Sequence, residues 1–232
     1  MTDTADIAAW VQQYDTCPDQ IRRAVLTLAS GYQLLNSEFL PFGVNDVSTF
    51  NTSWKWYQGS SGSAVHTIDI ATNTLTLIAD SMTDQRDTIT TAPVLAYPAT
   101  GDIVAQVQLT FTPLDDKNGA GIGIRAAQDF NSWIRIARVG DNIEVVADNA
   151  GTSTVVESLP YAEGEPKIYL KIERVATQFT LSYSVDGDDW HEIVSDYSLV
   201  LPQETEVYLT TFWPVESAAA IAGFAEMKVN AG

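Results

Sequence analysis

Residues Pro166–Ile193 read PKIYLKIERVATQFTLSYSVDGDDWHEI, and this stretch decides the fold. Ile168, Leu170 and Ile172 alternate with Tyr169, Lys171 and Glu173, a period of two that puts one apolar face inward and one mixed face outward. Phe179, Leu181 and Tyr183 repeat the pattern after the short connection Val175-Ala176-Thr177. Asp186-Gly187 then supplies residues that tolerate positive φ, as a turn requires. Trp190 follows the turn, and we expect it to fold back over the hairpin and be buried there.

Working outward, strands are expected at short intervals on both sides of this hairpin. Upstream they are Thr67–Ile70, Thr74–Ala79, Ile103–Thr112, Gly121–Ala127, Trp133–Arg138, Ile143–Ala147 and Ser153–Glu157; downstream, Val207–Trp213 and Ala222–Val229. The separators are turn chemistry, such as Asn73, Asp115-Asp116-Lys117-Asn118-Gly119, Gly140-Asp141-Asn142 and Asp148-Asn149-Ala150-Gly151. Many short strands without long intervening helices imply antiparallel sheets packed face to face. The fold class expected is all-β, a two-sheet antiparallel sandwich over residues 46–232, preceded by a helical arm and linker over residues 1–45. In the arm, Pro18 suits the first turn of a helix, and Ile21, Val25, Leu28, Tyr32 and Leu35 then form one stripe at spacings of three and four. Such a stripe either packs on the sandwich or serves as a docking or self-association arm. The segment between, with Pro41, Gly43 and Asn45-Asp46, reads as a linker, and Gly59–Ser63 as a flexible connection.

Composition excludes several classes of function. The chain has 232 residues and a formal net charge of -18, with only 12 Lys and Arg against 30 Asp and Glu. Phosphate-directed binding of nucleic acid and attraction to anionic membranes are both disfavoured. A chain of this length buries roughly 70% of its unfolded surface, so the core needs no disulfide or metal. Cys17 alone cannot form an intramolecular bridge. Residues 1–16 carry Asp3, Asp6 and Asp15 without a basic start, so no secretory signal is visible, and a cytoplasmic or signal-less protein is the expectation.

Three passages, taken in order, carry a family resemblance: APVLAYPATGDIVAQVQL (Ala92–Leu109), GAGIGIRAAQDFNSWIRIAR (Gly119–Arg138) and YLKIERVATQFTLSYSVDGDDW (Tyr169–Trp190). Gly101-Asp102 precedes a strand, Ala120–Arg125 has the form Ala-Gly-Ile-x-Ile-Arg, and Trp133 opens the next strand. Leu170–Arg174 gives Leu-x-Ile-x-Arg, and Ser184–Trp190 gives Ser-x-Asp-Gly-x-x-Trp. This series resembles the concanavalin A-like lectin/glucanase superfamily, in particular the branch similar to the C-terminal domain of β-xylosidases, and covers about residues 50–230. The resemblance implies a jelly-roll sandwich whose concave sheet faces glycans.

The chemistry-bearing residues point to binding rather than catalysis. Glucan-cutting members of that superfamily use a Glu-x-Asp-x-x-Glu type strand whose carboxylates share the acid and nucleophile roles, and no strand here carries it. Gly119-Ala120-Gly121-Ile122-Gly123 lacks the helix of a phosphate loop, so its glycines are expected to permit close packing or a flat sheet face. His66 and His191 are the only histidines, and there is no Cys pair, HExxH or Gly-x-Ser-x-Gly. No cofactor is expected. Calcium is the one open alternative, at Asp115-Asp116-Lys117-Asn118, while Asp186 is expected to hydrogen-bond its own turn.

The candidate ligand site is a face. With Ile122, Ile124, Ile134 and Ile136 in the core, Arg125, Trp133 and Arg135 point outward, as do Tyr169, Lys171 and Glu173 on their own strand. An aromatic ring flanked by polar ends suits a sugar, and Trp54, Tyr57 and Trp213 lie near strand ends where they could extend the platform. Two readings follow: a non-catalytic carbohydrate-binding or accessory module with a glycan partner, or a structural protein that self-associates or docks on a partner protein through residues 4–35.

Overall fold

The computed structural model describes residues 39–40, 42–43, 53–57, 65–79, 92–127, 131–161, 165–212 and 219–231. The expected helical arm over 4–35 and Trp213 lie outside them. The described residues form fourteen strands: β1 (Lys55–Tyr57), β2 (Val65–Asp69), β3 (Thr74–Ala79), β4 (Val94–Thr100), β5 (Ile103–Phe111), β6 (Gly119–Ala126), β7 (Trp133–Val139), β8 (Asn142–Asn149), β9 (Thr152–Pro160), β10 (Lys167–Val175), β11 (Gln178–Ser184), β12 (His191–Ser198), β13 (Glu204–Phe212) and β14 (Ala220–Ala231). They form two antiparallel seven-stranded sheets, a jelly-roll sandwich. The first sheet runs β1-β4-β13-β6-β7-β8-β9 and the second β12-β11-β10-β5-β14-β3-β2.

The alternation read from the sequence builds the core between the sheets. Ile122, Ile124, Ile134 and Ile136 of the first sheet meet Ile168, Leu170 and Ile172 of the second, all fully buried. Leu170 lies opposite Tyr183 and Ile172 opposite Leu181 in the β10–β11 hairpin, as its two apolar runs require. Arg174, at the inner end of β10, satisfies carbonyls rather than a ligand: its Nη2 donates to Leu201 O and Pro202 O at 3.0 Å, and its Nε to Ala176 O at 2.9 Å. Burial lowers its pKa without removing the charge.

Three strands went unread in the sequence: β1, β4 and β12. Pro98 inside β4 argues against a central strand, because proline cannot donate to the ladder. β1 resolves the conflict. It pairs only Val94–Ala96 of β4, so Pro98 sits beyond it, with β13 as its neighbour on the other side. β12 pairs with β11 with a register shift, and its mixed, half-exposed sequence hides the alternation.

The β11–β12 connection is longer than a two-residue turn and is organised by Asp186. Its Oδ1 accepts the Asp188 and Asp189 backbone N–H groups at 2.9 and 3.0 Å and the Ser184 hydroxyl at 2.9 Å, and Gly187 takes φ +90°. These bonds hold the Asp186 carboxyl down to about 2. Trp190 does return over the hairpin, with the Lys171 ammonium 4.6 Å from its ring centre, but it stays half-exposed rather than buried. No helix among the described residues is long and apolar enough to cross a membrane.

Candidate functional site

The outward side chains of the first sheet come from alternate positions of four adjacent strands. Across β13, β6, β7 and β8 the register aligns Glu206, Arg125, Trp133 and Asp148 in one row, and Tyr208, Gly123, Arg135 and Val146 in the next. Gly119, Gly121 and Gly123 therefore leave β6 bare on this side. The space is taken by rings: a Cβ on Gly123 would sit 2.3 Å from Tyr208 Cζ, and one on Gly119 would sit 2.4 Å from Phe212 Cζ. The glycine run serves close packing, as the sequence suggested. Arg135 extends over the same floor, its guanidinium carbon 4.3 Å from the centre of the Phe212 ring and 5.4 Å from that of Trp133.

Beside this floor lies a charged cluster centred on Glu206. Arg125 donates from Nε and Nη2 to Glu206 Oε2 at 3.0 and 2.7 Å, Lys55 Nζ reaches Oε1 at 2.8 Å, and the Tyr57 hydroxyl donates to Oε1 at 3.2 Å. The Arg125 guanidinium also stacks 4.4 Å from the Tyr57 ring centre. Burial pushes the Glu206 carboxyl up, but the hydrogen bonds from Lys55 and Arg125 outweigh it and its pKa falls, while the Lys55 pKa rises through the same contact. Burial drives the Tyr208 hydroxyl well above its ordinary range.

This face is closed. Arg125 and Arg135 are 0% exposed, Trp133 is 1% and Tyr208 is 0%, although all point away from the inter-sheet core. The expectation that Arg125, Trp133 and Arg135 form a half-exposed platform is thus corrected: alternation gave their direction, and packing beyond the sheet removed them from water. Trp54 is corrected too. It is 6% exposed and belongs to the main core, its ring centre 5.4 Å from that of Phe42 and 5.2 Å from that of Tyr97. Tyr57 is half-buried at the rim of the closed face.

Lys171 and Glu173 do not share that face. β10 pairs with β5 and β11, so they lie on the outer side of the second sheet, across the whole sandwich from Arg125 and Trp133. Here the surface is partly open: Gln106, Gln108, Lys171, Glu173 and Thr180 are half-exposed, while Tyr169, Ser182 and Ser184 are buried. Tyr169 pairs with Gln108 and Ser184, Lys171 with Gln106 and Ser182, and Glu173 with Val104 and Thr180. Lys171 Nζ meets Glu173 Oε2 at 3.3 Å, and Gln108 Nε2 donates to the Tyr169 hydroxyl at 2.7 Å. Trp190 lies half-exposed over Lys171. Further along this side, Gly223 sits between Thr76 and Thr110, and a trough of about 380 Å³ opens over them with exposed Leu114 and Ile221 at its rim.

Glu206, Tyr208, Gln106, Gln108 and Trp190 were missed as site residues. The alternation of Glu206 and Tyr208 with Val207 and Leu209 was the available signal. Nothing local says that Glu206 faces Arg125, which is 81 residues away. Asp115 Oδ1, in the loop considered for calcium, accepts the Lys117 and Asn118 N–H groups at 2.8 Å. His66 packs on Trp56 and His191 on Tyr183, with ring centres 4.9 and 5.2 Å apart. Among the described residues, no group of three His, Cys, Asp or Glu side chains is placed to hold a metal.

The family model described as the β-xylosidase C-terminal concanavalin A-like domain matches residues 47–209. A functionally unknown protein from Saccharomyces cerevisiae superposes with a TM-score of 0.64 at 18% identity, covering 78% of this chain and 97% of that one. The GH43 BlXynB protein from Bacillus licheniformis gives 0.67 at 17% identity over 81% of this chain but only 38% of its own, so the chain spans well under half of that enzyme. The carbohydrate-binding module CBM66 from Bacillus subtilis gives 0.53 at 13% identity, covering 77% and 96%. No curated protein matches.

Proposed function

We propose, from the premise that this chain belongs to the family of β-xylosidase C-terminal concanavalin A-like domains, that it is a non-catalytic carbohydrate-binding or accessory module whose glycan face is the outer side of the second sheet. The observation that carries this reading is Trp190, half-exposed above Lys171 on a sheet face otherwise lined with Gln106, Gln108, Thr180 and Glu173. An aromatic face beside amide, ammonium and carboxylate groups stacks on the apolar side of a sugar ring and hydrogen-bonds its hydroxyls. The threonine-lined trough over Gly223 lies on the same side and extends the surface for a chain of several sugars. The carboxylate best placed beside cations, Glu206, is held by Arg125 and Lys55 in a closed face, an arrangement suited to structure rather than proton transfer.

A glycan array followed by titration calorimetry tests the reading. Trp190→Ala should weaken binding to a polysaccharide identified on the array by about 1 kcal/mol or more, while a folded Lys117→Ala control leaves it unchanged. Unaltered affinity in a folded Trp190→Ala protein would move the site elsewhere, and no binding across the array would reject the glycan reading.

A further inference from the structure

On the outer side of the second sheet, register places Gly223, Thr110 and Lys167 side by side in one row. Ala225, Gln108 and Tyr169 form the next row, and Lys228, Gln106 and Lys171 the third. We propose that a diagonal corridor across these rows binds a linear β-1,4-linked polysaccharide along its length, an internal stretch of several sugars running from the trough over Gly223, across Gln108, to Trp190. This inference rests on the glycan reading and adds to it the class of glycan and the way it lies.

Two opposite corners of the three rows are raised. At one, Lys167 Nζ lies 5.1 Å from the centre of the Tyr169 ring, and Gly187 sits against the same ring, where an added Cβ would come within 3.2 Å of Tyr169 Cε1. At the other, Lys228 Nζ lies 4.8 Å from the centre of the Phe39 ring. These side chains form the banks. The floor between them is Gly223, which has no side chain, then the half-exposed Gln108 amide, then Lys171 beneath the Trp190 ring. From Gly223 to Lys171 the corridor spans about 17 Å, the reach of about four pyranose rings laid end to end. A straight floor of this length suits an extended β-1,4-linked chain and not a coiled one.

The polar groups along it suit sugar hydroxyls. Among the described residues, the Gln106 amide and the Thr76 and Thr110 hydroxyls have no hydrogen-bond partner, and Gln108 uses only its Nε2, toward Tyr169. Trp190 supplies a stacking face at one end. Neither end is a pocket for a chain terminus. The next positions on the same diagonal are Thr180 of β11 and Ile78 of β3, both half-exposed, so a chain can continue past either end.

Titration calorimetry of the full chain with xylo- and cello-oligosaccharides of two to six units tests the inference. Affinity should rise about tenfold or more from dimer to tetramer and level off beyond it. Soluble β-1,4-xylan should take up several protein molecules per chain. Gly223→Leu has room to fold, because the nearest atom to an added Cβ is Thr110 Cβ at 3.7 Å, and it fills the trough floor. In that variant the tetramer should bind no better than the dimer; the length series in the wild type decides even if the variant does not fold. Affinity independent of length, one protein molecule per xylan chain, or an unaltered length dependence in folded Gly223→Leu would overturn the inference and leave glycan binding standing. So would an array on which other sugars bind while both series do not. An array without any binding rejects the underlying reading, and this inference with it.

Discussion

On the first sheet, the outward residues of β6 and β7, and those of β13 beyond Glu204, point away from the core and are nonetheless buried; on the second sheet, outward Tyr169, Ser182 and Ser184 are buried too, but Gln106, Gln108, Lys171, Glu173 and Thr180 remain partly in water. Both faces have the same period-two origin and both mix aromatic with charged side chains. They differ in what occupies the central strand. Gly119, Gly121 and Gly123 leave β6 flat, so Tyr208 and Phe212 lie over it and build an apolar floor that must be covered. β5 instead carries Gln106 and Gln108 on its outer side, and a floor of amides can stay wet. Direction is a property of the strand, whereas exposure is a property of what the face is made of and what lies over it.

Tryptophan truncations separate the faces most strongly. Trp133→Ala should cost about 3–5 kcal/mol in urea unfolding, the range for deleting a fully buried aromatic, and Trp190→Ala clearly less because its ring is half in water. This reverses the expectation from sequence, in which Trp190 was the buried one and Trp133 the exposed platform. Equal losses would erase the distinction between the faces.

The ion pairs should divide in the same way. Glu206→Ala strands Arg125 in a buried site and should destabilise by about 3–5 kcal/mol, while Glu173→Ala, losing only a partly exposed partner of Lys171, should cost under about 1 kcal/mol. Chemical denaturation of both variants measures the contrast. A small loss for Glu206→Ala would mean that water reaches Arg125.

Matched glycine substitutions sharpen the comparison. Gly123→Ala places a methyl 2.3 Å from the Tyr208 ring and should destabilise by about 1–3 kcal/mol through overpacking. At Gly223 the nearest atom to an added Cβ is Thr110 Cβ at 3.7 Å, so Gly223→Ala should be neutral or stabilising by a few tenths of a kcal/mol. Thermal midpoints would show the opposite signs.

The smallest effect expected is on pH. The folded Asp186 carboxyl lies at about 2, below the ordinary aspartate value, because two backbone N–H groups and Ser184 bind its ionised form. Its contribution is therefore complete above the unfolded pKa near 4 and is lost as pH falls toward 2. Urea midpoints at pH 5, 3 and 2 should fall less steeply in Asp186→Asn than in the wild type. Parallel curves would show that the turn bonds do not favour the carboxylate.

Sequence alone determined most of the sandwich. The runs Ile168–Ile172, Phe179–Tyr183 and Ile134–Ile136 declare strands with a buried side, and Asp186-Gly187 declares the turn, because alternation and turn chemistry are local properties of the chain. Only the tertiary structure decided which outward residues share a face. Arg125 meets Glu206 through the pairing of β6 with β13, and Lys171 is separated from Trp133 because β10 joins the other sheet. Period two fixes a side chain's direction relative to its own strand, but strand order, register and cover arise from contacts between residues far apart in the chain, 151 positions for Lys55 and Glu206, and these leave no local trace.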